Sequence, residues 1–243
     1  MQEQIYKLSL DQLDDATLFK EIVKNIKVNY YWSDEWNDAL YIKLAQLGFI
    51  STSYDTLEGL VLLPEIQFEY GVLDFDKLHI SSKVRKLIAK DEFTLSFNNN
   101  FDAVLHNIQK QHQRYNWLKG DYLTLMKNMH RNHNSYDNFR LHSIELVSRV
   151  TKELIAGEIG YVIGTTYTSL SGFSSREKRY NNCGKLQLVL LAQQLQKEGF
   201  AFWNMGHPHM EYKKRLGTTV LSRETFLKRW GDAANKNLKD LYE

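Results

Sequence analysis

A single cysteine, Cys183, stands in the whole chain, so no intrachain disulfide can form and a reducing compartment is the expected setting. Prolines are as scarce: Pro64 and Pro208 are the two, and no Ser/Gly-rich linker or repeat separates one part of the chain from another. Apolar runs such as Gly59–Leu63 and Leu188–Ala192 fall far short of the roughly 20 residues that a membrane span requires. The first residues, Met1-Gln2-Glu3-Gln4, offer no basic stretch followed by an apolar one, so no secretory signal is expected. Cytoplasm is the expected location. Absent too are the phosphate-binding P-loop, the dinucleotide glycine fingerprint, zinc-ligand spacings and the nucleophile elbow. His207-Pro208-His209 has no ligand-spaced companions, so it predicts no metal site.

What is present is an ordinary globular composition, with 43% hydrophobic and 25% charged residues. At 243 residues the chain can bury one large core or two modest ones. The net charge is only +2, below what a non-specific nucleic-acid binder usually carries. Its distribution is uneven, with basic clusters at 83–90, 176–179, 213–215 and 228–229.

The order of periodic segments predicts an α+β fold. Residues up to about Phe75 are acidic and aromatic-rich, and read as a small N-terminal domain of short helices and strands, residues 1–77. From residue 78 a second unit begins. Ser82–Lys90 reads as a short basic helix and Phe93–Phe97 as a half-buried strand. Phe101, Val104, Leu105 and Ile108 recur at helical spacing, and a further helix is expected over 121–132. Segments 141–147, 153–163 and 165–170 are rich in β-branched and aromatic residues and predict an antiparallel meander. Then come a helix over 184–197, a strand over 200–204 and a helix over 223–230. A mixed sheet flanked by helices in this order is compatible with an acetyltransferase-like (GNAT) unit over 78–243.

Several short segments, in order, resemble the leucyl/phenylalanyl-tRNA–protein transferase family. They are Leu78-His79-Ile80-Ser81 with the basic residues Lys83, Arg85 and Lys86; Trp117-Leu118; His142-Ser143-Ile144-Glu145; Leu154-Ile155-Ala156-Gly157-Glu158-Ile159-Gly160; Phe173-Ser174-Ser175 followed by Lys185; and Leu216-Gly217-Thr218. The resemblance runs over roughly residues 40–230. It implies a two-domain enzyme with a GNAT-like C-terminal domain and no cofactor, neither metal nor acyl-CoA. Its partners would be an aminoacyl-tRNA carrying Leu, Phe or Met and a protein whose N-terminal residue is Arg or Lys. The product would be a destabilising N-terminus, marking the protein for degradation.

The resemblance also assigns residues. Trp117 would stack on the terminal adenosine of the tRNA, since each base–aromatic stack contributes about 1–3 kcal/mol. Lys83, Arg85, Lys86, Lys213, Lys214 and Arg215 are candidates for phosphate contacts. Asn204 takes the position of a catalytic Asp, Gly206 that of a Gln, and Glu145 is a candidate to orient the acceptor. The aminoacyl pocket would be bordered by Glu158, Tyr167, Leu170 and Gly172. Glu158 and Gly172 replace family methionines, Tyr167 a Phe, and Leu170 a Glu. Asn204 cannot act as a base, though it can orient an amine. An aminoacyl ester is already activated, so the chemistry needs only positioning, one proton acceptor and oxyanion donors. Two other readings compete: a non-catalytic tRNA- or protein-binding homologue, favoured by those departures, and an acyl-CoA-dependent GNAT acyltransferase. The second requires a glycine-rich pyrophosphate loop, and the stretch 176–185 offers a single glycine.

Overall fold

The computed structural model describes residues 5–241. It is an α+β fold built on one seven-stranded, mostly antiparallel sheet. In chain order the elements are β1 (Tyr6–Lys7), α1 (Ala16–Lys24), β2 (Tyr31–Trp32), α2 (Asp38–Gln46), β3 (Ile50–Thr56), β4 (Gly59–Glu65) and β5 (Glu69–Leu73). There follow α3 (Ser82–Lys90), β6 (Phe93–Phe97), α4 (Phe101–Gln111), α5 (Gly120–Arg131), β7 (Arg140–Ser148), β8 (Leu154–Ile163) and β9 (Thr166–Ser174). The chain closes with α6 (Cys183–Lys197), β10 (Phe202–Gly206), α7 (Glu211–Leu216), β11 (Thr219–Ser222) and α8 (Arg223–Ala234). Among the described residues no helix is long and apolar enough to cross a membrane.

Local chemistry sets the helix starts. Ser81 Oγ accepts from Val84 N–H at the head of α3, Asn37 Oδ1 from Leu40 N–H at the head of α2, and Ser222 Oγ from Thr225 N–H at the head of α8. Each satisfies an amide that the first turn leaves without a partner. The expected antiparallel meander is present as β7, β8 and β9. β8 is buried along nearly its whole length, as suits a strand covered on both faces.

The large sheet runs β11-β5-β10-β9-β8-β7-β6. Within it, only the neighbours β9 and β10 run parallel. β5 pairs with both β10 and β11, so residues 69–73 are hydrogen-bonded into this sheet. The hairpin of β3 and β4 forms a separate two-stranded sheet. Two apolar cores lie on the two faces. One gathers α2, α4, α5 and α8 with the hairpin; the other gathers α3, α6 and Leu216 of α7.

Arg223, the first residue of α8, ties the N-terminal segment to the rest. It is buried, and its guanidinium donates to the carbonyls of Ile22, Val28, Ile66 and Gln67. Several orphan carbonyls are thus satisfied by one planar five-donor group. Nothing in the local sequence around Arg223 signals this.

Candidate active site

β9 and β10 pair over only three positions, Phe202 with Thr166, Trp203 with Tyr167 and Asn204 with Thr168. Beyond Asn204, β10 pairs with β5 alone through a register irregularity, and Gly206 adopts φ +68°. β9 continues to Ser174 beside β8, with a bulge that leaves Leu170 as the extra residue between Ser169 and Ser171. The two parallel strands therefore diverge after Asn204. Among the described residues no strand pairs with β9 on its β10 side from Ser169 onward. The C-terminal end of α4 covers part of that edge: Gln111 Oε1 accepts Ser174 N–H at 3.0 Å, and His112 Nε2 lies 2.9 Å from the Gly172 carbonyl oxygen. A rigid strand edge carrying backbone dipoles is the kind of surface that can stabilise a developing oxyanion.

On the α6 face of the sheet beside this divergence lies a buried polar cluster. Glu158 of β8 accepts from Tyr167 Oη at 2.9 Å and Ser169 Oγ at 2.7 Å on one oxygen, and from Gln187 Nε2 of α6 at 3.0 Å on the other. Trp203 Nε1 donates to Ser169 Oγ at 2.9 Å, which joins β10 to the cluster. Burial pushes the Glu158 carboxyl up from its ordinary pKa, and the three donors pull against that rise. Burial and the neighbouring carboxylate drive the Tyr167 phenol well above its usual value.

Lys213 of α7 completes this group. It is only 6% exposed, and its Nζ donates to the carbonyls of Met205 and His207 at the end of β10. Burial lowers its pKa to about 8, against an opposing pull from Glu158. Of the four pocket residues read from the sequence, the structure puts Glu158, Tyr167 and Gly172 together. Glu158 and Tyr167 are buried and bonded to each other, so they border no open space. A side chain on Gly172 would begin 2.9 Å from the Gly157 carbonyl and 3.1 Å from Glu158 Cβ, leaving no room for a larger residue. Leu170 packs against the core of the opposite face.

Asn204 lies at the point of divergence but is fully buried, and its side chain is engaged at both ends. Its Oδ1 accepts Gly206 N–H at 3.0 Å and its Nδ2 donates to Thr168 Oγ1 at 3.3 Å. It fixes the turn that ends β10. Glu145 is not brought to it. Three strand spacings, about 14 Å, separate β7 from β10. The Glu145 carboxylate instead accepts from Ser96 Oγ, Ser143 Oγ and Asn100 N–H, fastening the start of α4 to β6 and β7.

The remaining candidates lie outward. Trp117 is half-buried, its ring set edge-on to Tyr122 with centroids 5.0 Å apart. Lys83, Arg85 and Lys86 are exposed on α3. Lys214 and Arg215 are exposed, with Arg215 paired to Glu211 at 3.0 Å, whereas Lys213 points inward. His207 and His209 pair with Glu65 and Glu69, and among the described residues no three metal-ligating side chains come together. Gln187, Ser169, Trp203 and the burial of Lys213 went unread in the sequence. Gln187 sits at an inward position of α6, a signal that periodicity could have given; the bulge at 169–171 has none.

A profile of the family described as leucyl/phenylalanyl-tRNA protein transferase matches residues 72–231. The chain is 29% identical over 161 residues to the leucyl/phenylalanyl-tRNA–protein transferase of Hydrogenovibrio crunogenus, covering 64% of this chain and 57% of that protein. It is 28% identical over 159 residues to the corresponding transferase of Maridesulfovibrio salexigens, covering 64% of this chain and 61% of that one. The chain thus spans less than two thirds of the length of these relatives. In structure it is similar to FemX, with a TM-score of 0.51 at 12% identity, over 89% of this chain and 78% of that one. At that identity the similarity speaks for the fold alone.

Proposed function

The chain belongs to the leucyl/phenylalanyl-tRNA protein transferase family, and from that premise we propose that it moves an amino acid from a charged tRNA to the N-terminal amine of a protein. The observation that carries this reading is the divergence of β9 and β10 after Asn204, inside the matched region. It ends the pairing on that side of β9, and there we place the ester and the amine, whose positioning together is most of what such a transfer requires. The reaction joins the acceptor nitrogen to the ester carbonyl carbon and releases the ribose oxygen of the tRNA.

The parallel pair β9–β10 beside an antiparallel meander supports describing the unit from residue 78 as GNAT-like. The division into residues 1–77 and 78–243 belongs to the same proposal; β5 reaches across it by pairing with β10. We propose as well an acceptor beginning with Arg or Lys, a cytoplasmic location and a role in marking proteins for degradation.

The test is a transfer assay with a pool of labelled aminoacyl-tRNAs and model proteins of varied N-terminal residue. Label on protein supports the reading and names both substrates. Folded protein that binds tRNA but transfers nothing from the whole pool would replace it with the non-catalytic binding homologue.

A further inference from the structure

The proposed transfer needs a proton acceptor, because an α-amine enters largely as an ammonium ion at neutral pH. Asn204 cannot serve: its amide is not basic, and both of its polar ends are committed, to Gly206 and Thr168. Glu145 lies three strands away and holds the start of α4. Glu158 is buried, as Lys213 is, but both of its carboxylate oxygens are taken up by three donors.

Lys213 differs from all of these. Its side chain reaches from α7 to the end of β10, where Nζ donates to the Met205 and His207 carbonyls. These carbonyls flank Gly206, in the stretch where β10 leaves β9. Two of the three non-carbon positions around Nζ are therefore fixed by backbone. The third carries the last proton of an ammonium or the lone pair of an amine. Two carbonyl acceptors hold either form in place, so the nitrogen need not move when it titrates.

We infer that Lys213 is a further catalytic residue, the group that takes the proton from the acceptor amine at the point where β9 and β10 diverge. In the first step the acceptor ammonium passes one proton to the neutral Lys213 amine. The freed nitrogen then attacks the ester carbonyl, a C–N bond forms and the C–O bond to the tRNA breaks. The second proton of the nitrogen leaves with the ribose oxygen, and Lys213 returns its proton to solvent. Burial supports this role by bringing the Lys213 pKa down to about 8, so that an appreciable share of the side chain is neutral near physiological pH. The groups that face it electrostatically are Glu158 on β8 and, from its own helix, Tyr212, whose ring centroid is 5.9 Å from Nζ.

The inference rests on the transferase reading, and its test separates the two. Purified wild type, K213M and K213R are compared on two acceptor peptides of equal sequence. One has an ordinary α-amine; the other begins with an aza residue, whose terminal nitrogen belongs to an acyl hydrazide and is already unprotonated at neutral pH. Loss of a general base should slow both variants by about 100-fold or more on the amine peptide. On the hydrazide peptide they should stay within a few-fold of wild type. Arginine keeps the cation and its donors but cannot give up a proton, so rescue by K213R would mark Lys213 as a mere scaffold and overturn the inference. Equal loss on both peptides, or no loss on either, would also overturn it. Thermal melts confirm folding, and two variants of different shape guard against one that does not fold. A wild type that transfers to neither peptide rejects the transferase reading itself.

Discussion

Glu145 and Glu158 are buried on adjacent strands one register step apart, yet they face opposite sides of the sheet. Glu145 stands opposite Gly157, and Glu158 opposite Ile144. Because cross-strand partners share a face and neighbours along a strand do not, Glu145 turns toward α4 and Glu158 toward α6. Two carboxylates that lie close in the backbone therefore serve separate networks, and their substitutions should be separable.

Replacing Glu145 by Leu leaves Ser96 Oγ, Ser143 Oγ and Asn100 N–H without their acceptor. The expected cost is about 1–3 kcal/mol or more of stability, read by urea unfolding. Transfer by the folded fraction should change only a few-fold. A collapse of turnover at unchanged stability would restore Glu145 as an orienting residue of the reaction.

Glu158 and Lys213 interact through space inside a poorly solvated region. Glu158→Met or Lys213→Met alone leaves a buried charge without its counterpart. Removing both should cost less than the sum of the two single changes. A double-mutant cycle measured by chemical denaturation should give a coupling of about 1 kcal/mol or more. Additive losses would show that the two do not act as a pair.

Lys83, Arg85 and Lys86 project from α3 into solvent. If they meet tRNA phosphates, changing all three to Gln should weaken tRNA binding and flatten its dependence on salt, the logarithmic slope falling by about 0.7–0.9 per lost contact. Thermal stability should be nearly unchanged, since exposed charges contribute little. An unaltered salt slope would move the tRNA surface elsewhere on the protein.

His142 offers a stability test against pH. It is buried on β7, with Asn98 at 3.0 Å from Nδ1 and Asp240 at 3.4 Å from Nε2, and with His130, His133 and Arg140 close enough to oppose its charging. Burial depresses its pKa to about 4, so the folded state holds it neutral while the unfolded chain protonates at its ordinary value. The unfolded state thus binds the extra proton between these two values, and stability falls as pH drops through that window. At pH 5 the contribution is on the order of 2 kcal/mol relative to pH 7. In urea titrations H142Q should lose stability less steeply than wild type between pH 7 and 5. Parallel curves would mean that His142 does not carry this dependence.

The sequence was legible where periodicity is a local property. The helix over 82–90 and the strand over 93–97 appear with the expected bounds, and the meander and the 184–197 helix within a residue or a few. What it did not show was α7, β11 and the place of β5 between β10 and β11. α7 is six residues long and β11 four, too short for a pattern to rise above chance. β5 gains its neighbours from strands more than a hundred residues away.

By itself the sequence determined the α+β class, the order of the longer helices and strands from residue 78, the family, and the candidates at the strand ends, because capping, side-chain period and short motifs are written in contiguous residues. Only the tertiary structure decided which of those candidates meet. It set Glu145 apart from Asn204, filled the space beside Tyr167 with the Glu158 carboxylate, and turned Lys213 inward to the carbonyls of β10. Such choices depend on which face a residue presents and where a neighbouring strand stops. Both are fixed by pairings between distant segments, which no local window of the chain contains.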